Sequence, residues 1–170
     1  MAKKISLREF QQSVVTRLQD LEHAAPSSSK LGMQVGSQSW LVDLSDVGEA
    51  IPVPALASVP LTHPWFSGVA NIRGNLYGAV DFSAFLGGEP STITPNSRLV
   101  LVNPKYAINS GLVVSRILGL RTPDQFQRKE MGQSNEPWVS AEYTDTDGNS
   151  WRELNMQALI QDPNFLQVGI

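Results

Sequence analysis

The side chains that could perform chemistry in this 170-residue sequence are few. The two histidines, the usual general bases near neutral pH, are His23 at the end of a helical segment and His63 before a proline. Glu142, Asp145 and Asp147 lie close together, but their spacing does not match the ligand pattern of a calcium loop. The absence of cysteine excludes thiolate catalysis and cysteine-based zinc sites. We therefore predict no catalytic residues, metal ligands or cofactors, and an enzyme is the least favoured class.

Composition and charge narrow the class of protein further. Hydrophobic residues make up 41% of the chain and charged residues 17%, which is typical of a globular domain. The formal net charge is −3 without a basic face, which argues against nucleic-acid binding. No apolar run approaches the roughly 18 residues that span a bilayer, and the basic N-terminal residues precede no secretory segment. These features predict a cytoplasmic protein without direct membrane insertion.

One mostly apolar stretch, GVANIRGNLYGAVDFSAFLG at 68–87, contains an arginine beside a glycine at its centre. Gly74 and Asn75 predict a hairpin turn between two strands. Arg73 directly precedes this turn, and its guanidinium carries five donors for carbonyls or a carboxylate. The arginine could therefore tie the hairpin internally or contact a partner, and the sequence leaves both interpretations open.

The two ends of the same stretch also suggest specific roles. Gly68 has no side chain, so a partner or a neighbouring strand could approach the backbone closely there. Asp81 is predicted to cap a short helix at 82–86, because its carboxylate can accept hydrogen bonds from free N–H groups of the first turn. Trp65 follows a proline just before the stretch and is a candidate surface anchor, whereas Trp40 and Trp151 lie in strand patterns and are predicted to be core.

Short, evenly spaced strands are predicted through most of the remaining chain, a pattern typical of barrels rather than of a doubly wound sheet. Turns are expected at Gly36-Ser37 and, as a type I′ turn, at Asp147-Gly148. Short helices are expected at 45–50 and 156–161, and a mobile loop at 122–137. The strand segments are LGMQV, SWLVDL, VANIR, LYGAV, SRLVLVN, GLVVSRILGL, WVSAEYT and SWREL.

The first thirty residues have a helical rather than a strand-like pattern. Residues 1–30 are predicted to form an amphipathic helix and a linker, and residues 31–170 a domain with two subdomains. Ser6 and Glu9 match a capping box, and the segment at 25–29 predicts the end of the helix. The helix could dock on its own domain or bind a partner. Its apolar stripe comprises Leu7, Phe10, Val14, Leu18 and Leu21.

The stretch at 68–87 closely resembles the signature of CheW-like domains, the coupling proteins of bacterial chemosensory arrays. GSQSWLVDLSDVGEAI resembles the opening hairpin of the family, and SWRELNMQALI resembles its closing strand and helix. The resemblance covers about residues 32–160. The signature positions that match are Gly68, Val69, Asn71, Ile72, Arg73, Gly74, Asp81, Phe82 and Leu86.

This resemblance implies a mainly β fold of two intertwined five-stranded SH3-like barrels with short helices and a groove between the barrels. It implies a non-catalytic adaptor that joins the signalling tip of a methyl-accepting chemotaxis receptor to the regulatory domain of a CheA-like histidine kinase. The protein would be recruited to membrane-associated receptor arrays, and the N-terminal extension favours the branch that controls type IV pilus twitching motility. The partner-binding positions carry over to Val47, Glu49, Gly68 and Arg73.

A different class of function is a sensor that binds a small ligand in the groove between the barrels. Such a site needs several polar groups that converge on one cavity. The sequence offers few candidates near the groove beyond Asn71 and Arg73. The adaptor is therefore the preferred interpretation, and the sensor is its alternative.

Overall fold

The computed structural model describes residues 8, 11–13, 15, 29–132 and 135–170. Of the predicted N-terminal helix, Arg8, residues 11–13 and Val15 are helical, and the remainder and the linker lie outside the described residues. The division at residue 30 therefore stays a prediction. The strands are β1 (Lys30–Val35), β2 (Gln38–Asp43), β3 (Val47–Pro52), β4 (Phe66–Ile72), β5 (Asn75–Asp81), β6 (Arg98–Val102), β7 (Ser110–Val114), β8 (Arg116–Arg121), β9 (Phe126–Lys129), β10 (Val139–Asp145) and β11 (Ser150–Leu154). The α-helices are α1 (Phe82–Phe85), α2 (Met156–Gln161) and α3 (Pro163–Leu166).

The strands form a six-stranded sheet, β8-β1-β2-β11-β10-β9, and a five-stranded sheet, β3-β6-β7-β5-β4. Taken in that order, the first five strands of each sheet pair antiparallel, antiparallel, parallel and antiparallel. The chain leaves the six-stranded sheet after β2, builds the whole five-stranded sheet and then returns at β8. The predicted class, mainly β with two interlocked halves and short helices, is confirmed.

The sixth strand of the larger sheet, β9, lies in the segment for which a mobile loop was predicted. Its four residues pair antiparallel with β10. Phe126 anchors the strand, because its ring centroid lies 5.4 Å from that of Trp151 and 5.9 Å from that of Tyr143. The other three residues of β9 are exposed. The prediction of a loop at these four residues was therefore wrong. Because three of them are exposed and only Phe126 anchors the strand, the segment has no apolar alternation that would have indicated a strand.

The two sheets share one hydrophobic core. Met33 and Trp40 from the six-stranded sheet pack in the same cluster as Val100 and Leu112 from the five-stranded sheet, and all four are fully buried. Strands β6 and β7 are apolar on both faces, because their alternate residues enter a second, smaller cluster around Leu99 inside the five-stranded sheet. The prediction that Trp40 and Trp151 belong to the core is confirmed.

Helix α1 begins directly after β5, and Asp81 caps it as predicted. The carboxylate accepts a hydrogen bond from the Ala84 N–H at 3.3 Å. It also accepts from the N–H and the hydroxyl of Ser91, each at 2.7 Å. Asp81 therefore fixes both the start of the helix and the loop that follows it, which accounts for a buried aspartate in an apolar stretch.

The hairpin between β10 and β11 has a four-residue loop rather than the predicted type I′ turn at Asp147-Gly148. Only Gly148 in this loop has a positive φ, of 83°. Asp145 organises the loop: its carboxylate accepts hydrogen bonds from the backbone N–H groups of Asp147 and Asn149 and from the indole of Trp151, each at 2.9 Å. The side chain of Asp145 thus reinforces the backbone hydrogen bonds of the loop, which run from the Gly148 N–H to the Asp145 carbonyl at 3.1 Å and from the Asp145 N–H to the Asn149 carbonyl at 3.0 Å.

The hydrogen bond from Trp151, with those from Asn149 and Asp147, lowers the pKa of Asp145 from its usual 3.8 to about 2. A carboxylate with a lower pKa in the folded state stabilises the fold above its unfolded pKa, and this stabilisation is lost as the pH falls through the folded value. Asp145→Asn should therefore lower the free energy of unfolding near neutral pH, and this deficit should shrink between about pH 4 and pH 2. Urea unfolding followed by tryptophan fluorescence measures the free energy of unfolding of each variant at each pH. The exposed Asp124→Asn is the control, and a deficit for Asp145→Asn that does not change with pH would contradict the assignment.

Candidate functional site

Arg73 and Gly74 form the two-residue turn between β4 and β5. Their φ angles are 51° and 85°, the combination that a type I′ turn requires. The Gly74 N–H donates to the Asn71 side-chain oxygen at 2.9 Å, which holds the turn. The predicted turn at Gly74-Asn75 is therefore wrong by one residue. Turn propensity favours asparagine over arginine at a positive φ, so no local pattern indicates that the arginine itself adopts this conformation.

The Arg73 guanidinium reaches across the sheet to Glu49. Its Nη2 donates to Glu49 Oε1 at 2.8 Å. Glu49 lies on β3 and Arg73 follows β4, and these two strands are the opposite edges of the five-stranded sheet. The ion pair therefore joins the two edges of this sheet. The predicted helix at 45–50 is wrong, because only Leu44–Asp46 forms a 3₁₀ turn before β3 begins at Val47.

The Arg73–Glu49 pair is open to water. The Arg73 side chain is 73% exposed and that of Glu49 is 39% exposed. The hydrogen bond from Arg73 lowers the pKa of Glu49, and the same bond raises the pKa of Arg73. Exposed ion pairs contribute little to stability because water and salt screen them. Each member of the pair can therefore exchange its partner for a charged group on another protein.

A small groove of about 180 Å³ lies beside the ion pair. Ile72, Tyr77 and Leu101 line it with apolar surface, and Pro104 forms part of its wall. Leu76, the second residue of β5, is 61% exposed next to the turn. The site thus combines two exchangeable opposite charges with apolar surface, an arrangement suited to binding the surface of a partner protein.

The other two predicted site residues lie inside the fold. Val47 is only 9% exposed and packs in the shared core. Gly68 is buried near the start of β4, five residues before Arg73, and a Cβ atom there would lie 2.4 Å from the carbonyl oxygen of Ala57. A segment of the same chain therefore makes the close approach at Gly68. The structure therefore brings Glu49 and Arg73 together at the surface. Val47 and Gly68 are buried and are not part of that surface.

A second polar cluster supports the groove, and sequence reasoning did not find it. Asp46 accepts hydrogen bonds from the Tyr106 hydroxyl at 2.5 Å and is paired with the Lys105 ammonium at 3.1 Å. These contacts hold the 3₁₀ turn before β3 against the connection between β6 and β7, which includes Pro104. The residues are about sixty positions apart, so no local pattern connects them.

Comparison with known proteins places this architecture in a family. The CheW-like domain matches residues 30–164. The chain belongs to the CheW-like domain family. Among its relatives, Protein PilI of Pseudomonas aeruginosa is 28% identical over 153 residues, which cover 88% of this chain and 84% of that protein.

The CheW-like fold is also shared by a solved structure, the scaffolding protein TtCheW from Thermoanaerobacter tengcongensis. The two structures superpose with a TM-score of 0.66 at 15% identity, over 81% of this chain and 94% of that one. In the described part of this CheW-like chain, no helix is long and apolar enough to cross a membrane. The same described residues contain no cluster of three or more His, Cys, Asp or Glu side chains placed to hold a metal ion.

Gly68 offers a direct test of the close approach to Ala57. Gly68→Ala should lower the free energy of unfolding by at least about 2 kcal/mol, because the added Cβ meets backbone and the φ of 129° is unfavourable for alanine. Gly132→Ala is the matched control, since a Cβ there would have no neighbour within 4 Å. Urea unfolding followed by circular dichroism gives both values. Equal stability of the two variants would show that the segment at Ala57 does not constrain Gly68.

Proposed function

We propose that this CheW-like protein is a non-catalytic adaptor that couples the signalling tip of a methyl-accepting chemotaxis receptor to a CheA-like histidine kinase. The observation that carries the proposal is the exposed Arg73–Glu49 pair beside an apolar groove, in a chain of this family. Control of type IV pilus twitching is the favoured pathway, and the similarity to Protein PilI supports that branch.

In this mechanism a helix of the receptor tip packs on the groove. Ile72 and Tyr77, which line the groove, supply the apolar contact, and Arg73 exchanges Glu49 for a carboxylate of the receptor. The exchange costs little because water already screens the pair. The new bond gains strength when the receptor covers the arginine and removes that water. Val47 and Gly68, the other proposed positions, would act through the fold: Val47 anchors the start of β3 in the shared core, and Gly68 fixes the entry into β4.

The kinase would bind through its regulatory domain, in a contact between two barrels. The adaptor would then work in the cytoplasm, recruited to receptor arrays at the membrane. Because each contact is repeated many times in an array, the total affinity is high even when the affinity of each single interface is low. A groove of this size together with exposed charges suits such a weak contact better than a permanent interface.

The alternative, a small-ligand sensor, receives less support. A cavity of about 490 Å³ lies between the β1–β2 turn and the loop after α1, and several hydroxyl groups line it. Three of these hydroxyls already have partners within the chain: Ser83 donates to the carbonyl of Glu89, Ser91 donates to the Asp81 carboxylate, and Ser115 accepts from the N–H of Gly36. A hydroxyl that holds the fold together is not free to converge on a ligand.

The adaptor proposal is tested by calorimetric titration with the signalling tip of a receptor encoded beside this protein. Arg73→Gln should weaken binding at least about tenfold, because it removes the charge that bonds to the receptor. Glu49→Gln should leave binding equal or tighter, since it releases Arg73 from its internal partner. Arg116→Gln, an exposed arginine on β8 in the other sheet, is the control and should bind like the unmodified protein.

Circular dichroism must first show that each variant is folded. If the Arg73→Gln and Arg116→Gln variants bind the receptor tip equally well, Arg73 is an internal tie and the receptor binds another surface of the protein. If neither the receptor tip nor the kinase regulatory domain binds to the unmodified protein, the adaptor proposal fails. A shift in melting temperature with small metabolites but not with the receptor tip would then favour the sensor.

A further inference from the structure

A β-bulge interrupts β3 one residue before Glu49. Val47, the first residue of β3, lies opposite Val102 on β6. The next partner on β6, Leu101, lies opposite Glu49, so Gly48 has no partner of its own in this ladder. A bulge adds one residue to one strand, bends that strand and changes the direction of the side chains that follow. The bulge at Gly48 therefore helps to set where Glu49 points.

The residues on the two sides of the bulge point to opposite faces of the sheet. In a regular strand, residues two positions apart share a face. Val47 packs in the shared core, whereas Ile51, two residues after Glu49, packs against the smaller cluster inside the five-stranded sheet. Glu49 therefore shares the face of Ile51, and from this face it reaches Arg73.

Asp46, the residue before β3, is anchored to the connection between β6 and β7. Its carbonyl accepts a hydrogen bond from the Asn103 N–H at 2.9 Å, and its carboxylate accepts one from the Tyr106 hydroxyl at 2.5 Å. The Asp46 side chain is only 17% exposed, so water screens these contacts less than it screens the Arg73–Glu49 pair. The segment that enters the bulge is therefore held through both its backbone and a side chain.

The same connection packs directly against the bulge. A Cβ atom at Gly48 would lie 3.3 Å from Pro104 Cδ and 3.2 Å from the Val102 carbonyl oxygen. Gly48 and Pro104 are thus closely packed, and both line the groove beside Arg73. Because Pro104 is only two residues from Tyr106, the bond from Tyr106 to Asp46 fixes the two sides of this contact relative to each other.

We propose that Tyr106 is a positioning residue for the Arg73–Glu49 site. Through Asp46 it holds the bulge at Gly48 in place, and the bulge in turn keeps Glu49 within reach of Arg73. The effect of Tyr106 on the ion pair is a property of this chain alone. Any consequence for the binding of a receptor rests on the proposed adaptor function.

The pKa of Glu49 reports this positioning without any partner, because the hydrogen bond from Arg73 lowers it. Tyr106→Phe keeps the ring and removes the hydroxyl, so it should raise the pKa of Glu49 toward the value found in Arg73→Gln. Tyr143→Phe is the matched control and should leave this pKa unchanged, because the Tyr143 hydroxyl also donates to a carboxylate, that of Glu153, but in the six-stranded sheet. NMR titration of the Glu49 carboxyl gives the values, and circular dichroism shows that each variant is folded.

A double variant tests whether Tyr106 acts through the ion pair. When Tyr106→Phe is combined with Arg73→Gln, the pKa of Glu49 should equal that of Arg73→Gln alone, because a pair that is already broken cannot be loosened further. Gly48→Ala reaches the same site by another route. Its Cβ would push the bulge away from Pro104, so it should also raise the pKa of Glu49.

A Tyr106→Phe variant that unfolds at lower urea concentration but keeps the pKa of Glu49 unchanged would overturn the proposal, since Tyr106 would then only stabilise the fold. An equal rise of this pKa in Tyr143→Phe would overturn it as well. Calorimetric titration with the receptor tip separates the proposal from the adaptor function. If the unmodified protein binds no partner but Tyr106→Phe raises the pKa of Glu49, the adaptor proposal fails and the positioning role of Tyr106 stands.

Discussion

The aromatic packing around α1 holds the molecule together. A helix of four residues has no stability of its own, so its geometry comes from the Asp81 cap and from its neighbours. The Phe82 ring lies 5.2 Å from that of Trp40 in the six-stranded sheet. The Phe85 ring lies between about 5 and 5.5 Å from the rings of Trp65, Trp138 and Phe165. Because α1 follows β5 without a gap, this packing fixes β5 and thereby the hairpin that ends in the Arg73 turn.

Two ion clusters with similar chemistry differ in how far they are buried. Lys30 pairs with Glu153 at 2.6 Å and with Asp43 at 3.4 Å, and the side chains of Lys30 and Glu153 are only about 15% exposed. This cluster ties β1 to β2 and β11, and removing one partner would leave a charge poorly solvated. Arg73 and Glu49 have the same chemistry at a similar distance, but water surrounds them. Their charges are therefore available to another protein.

The parts of this fold that the sequence predicts are those whose signals are local. Asp81 precedes the helix that it caps, and Trp40 lies in a clear strand pattern, so both roles follow from neighbouring residues. Val47 shows the limit of local signals. A valine two residues before Glu49 could be buried in the core or could contact a partner, and only the packing distinguishes the two cases. The bond between Tyr106 and Asp46 joins residues far apart in the chain, and the positive φ of Arg73 contradicts the intrinsic preference of arginine. These features depend on tertiary contacts, which override local preference.

The two sheets repeat one pairing pattern, but their edges differ, and this difference explains why the candidate site lies on only one of them. Strand β10 of the six-stranded sheet is covered along its outer edge by β9. On the outer edge of the equivalent strand of the other sheet, β4, the described residues form a single bridge, between Val69 and Ala57. An uncovered sheet edge exposes backbone groups and invites other chains to pair with it. The Ala57 bridge shields the middle of β4 and requires Gly68, whereas the Arg73 end stays open next to Glu49. The five-stranded sheet thus leaves its edge open at the end that carries the Arg73–Glu49 pair.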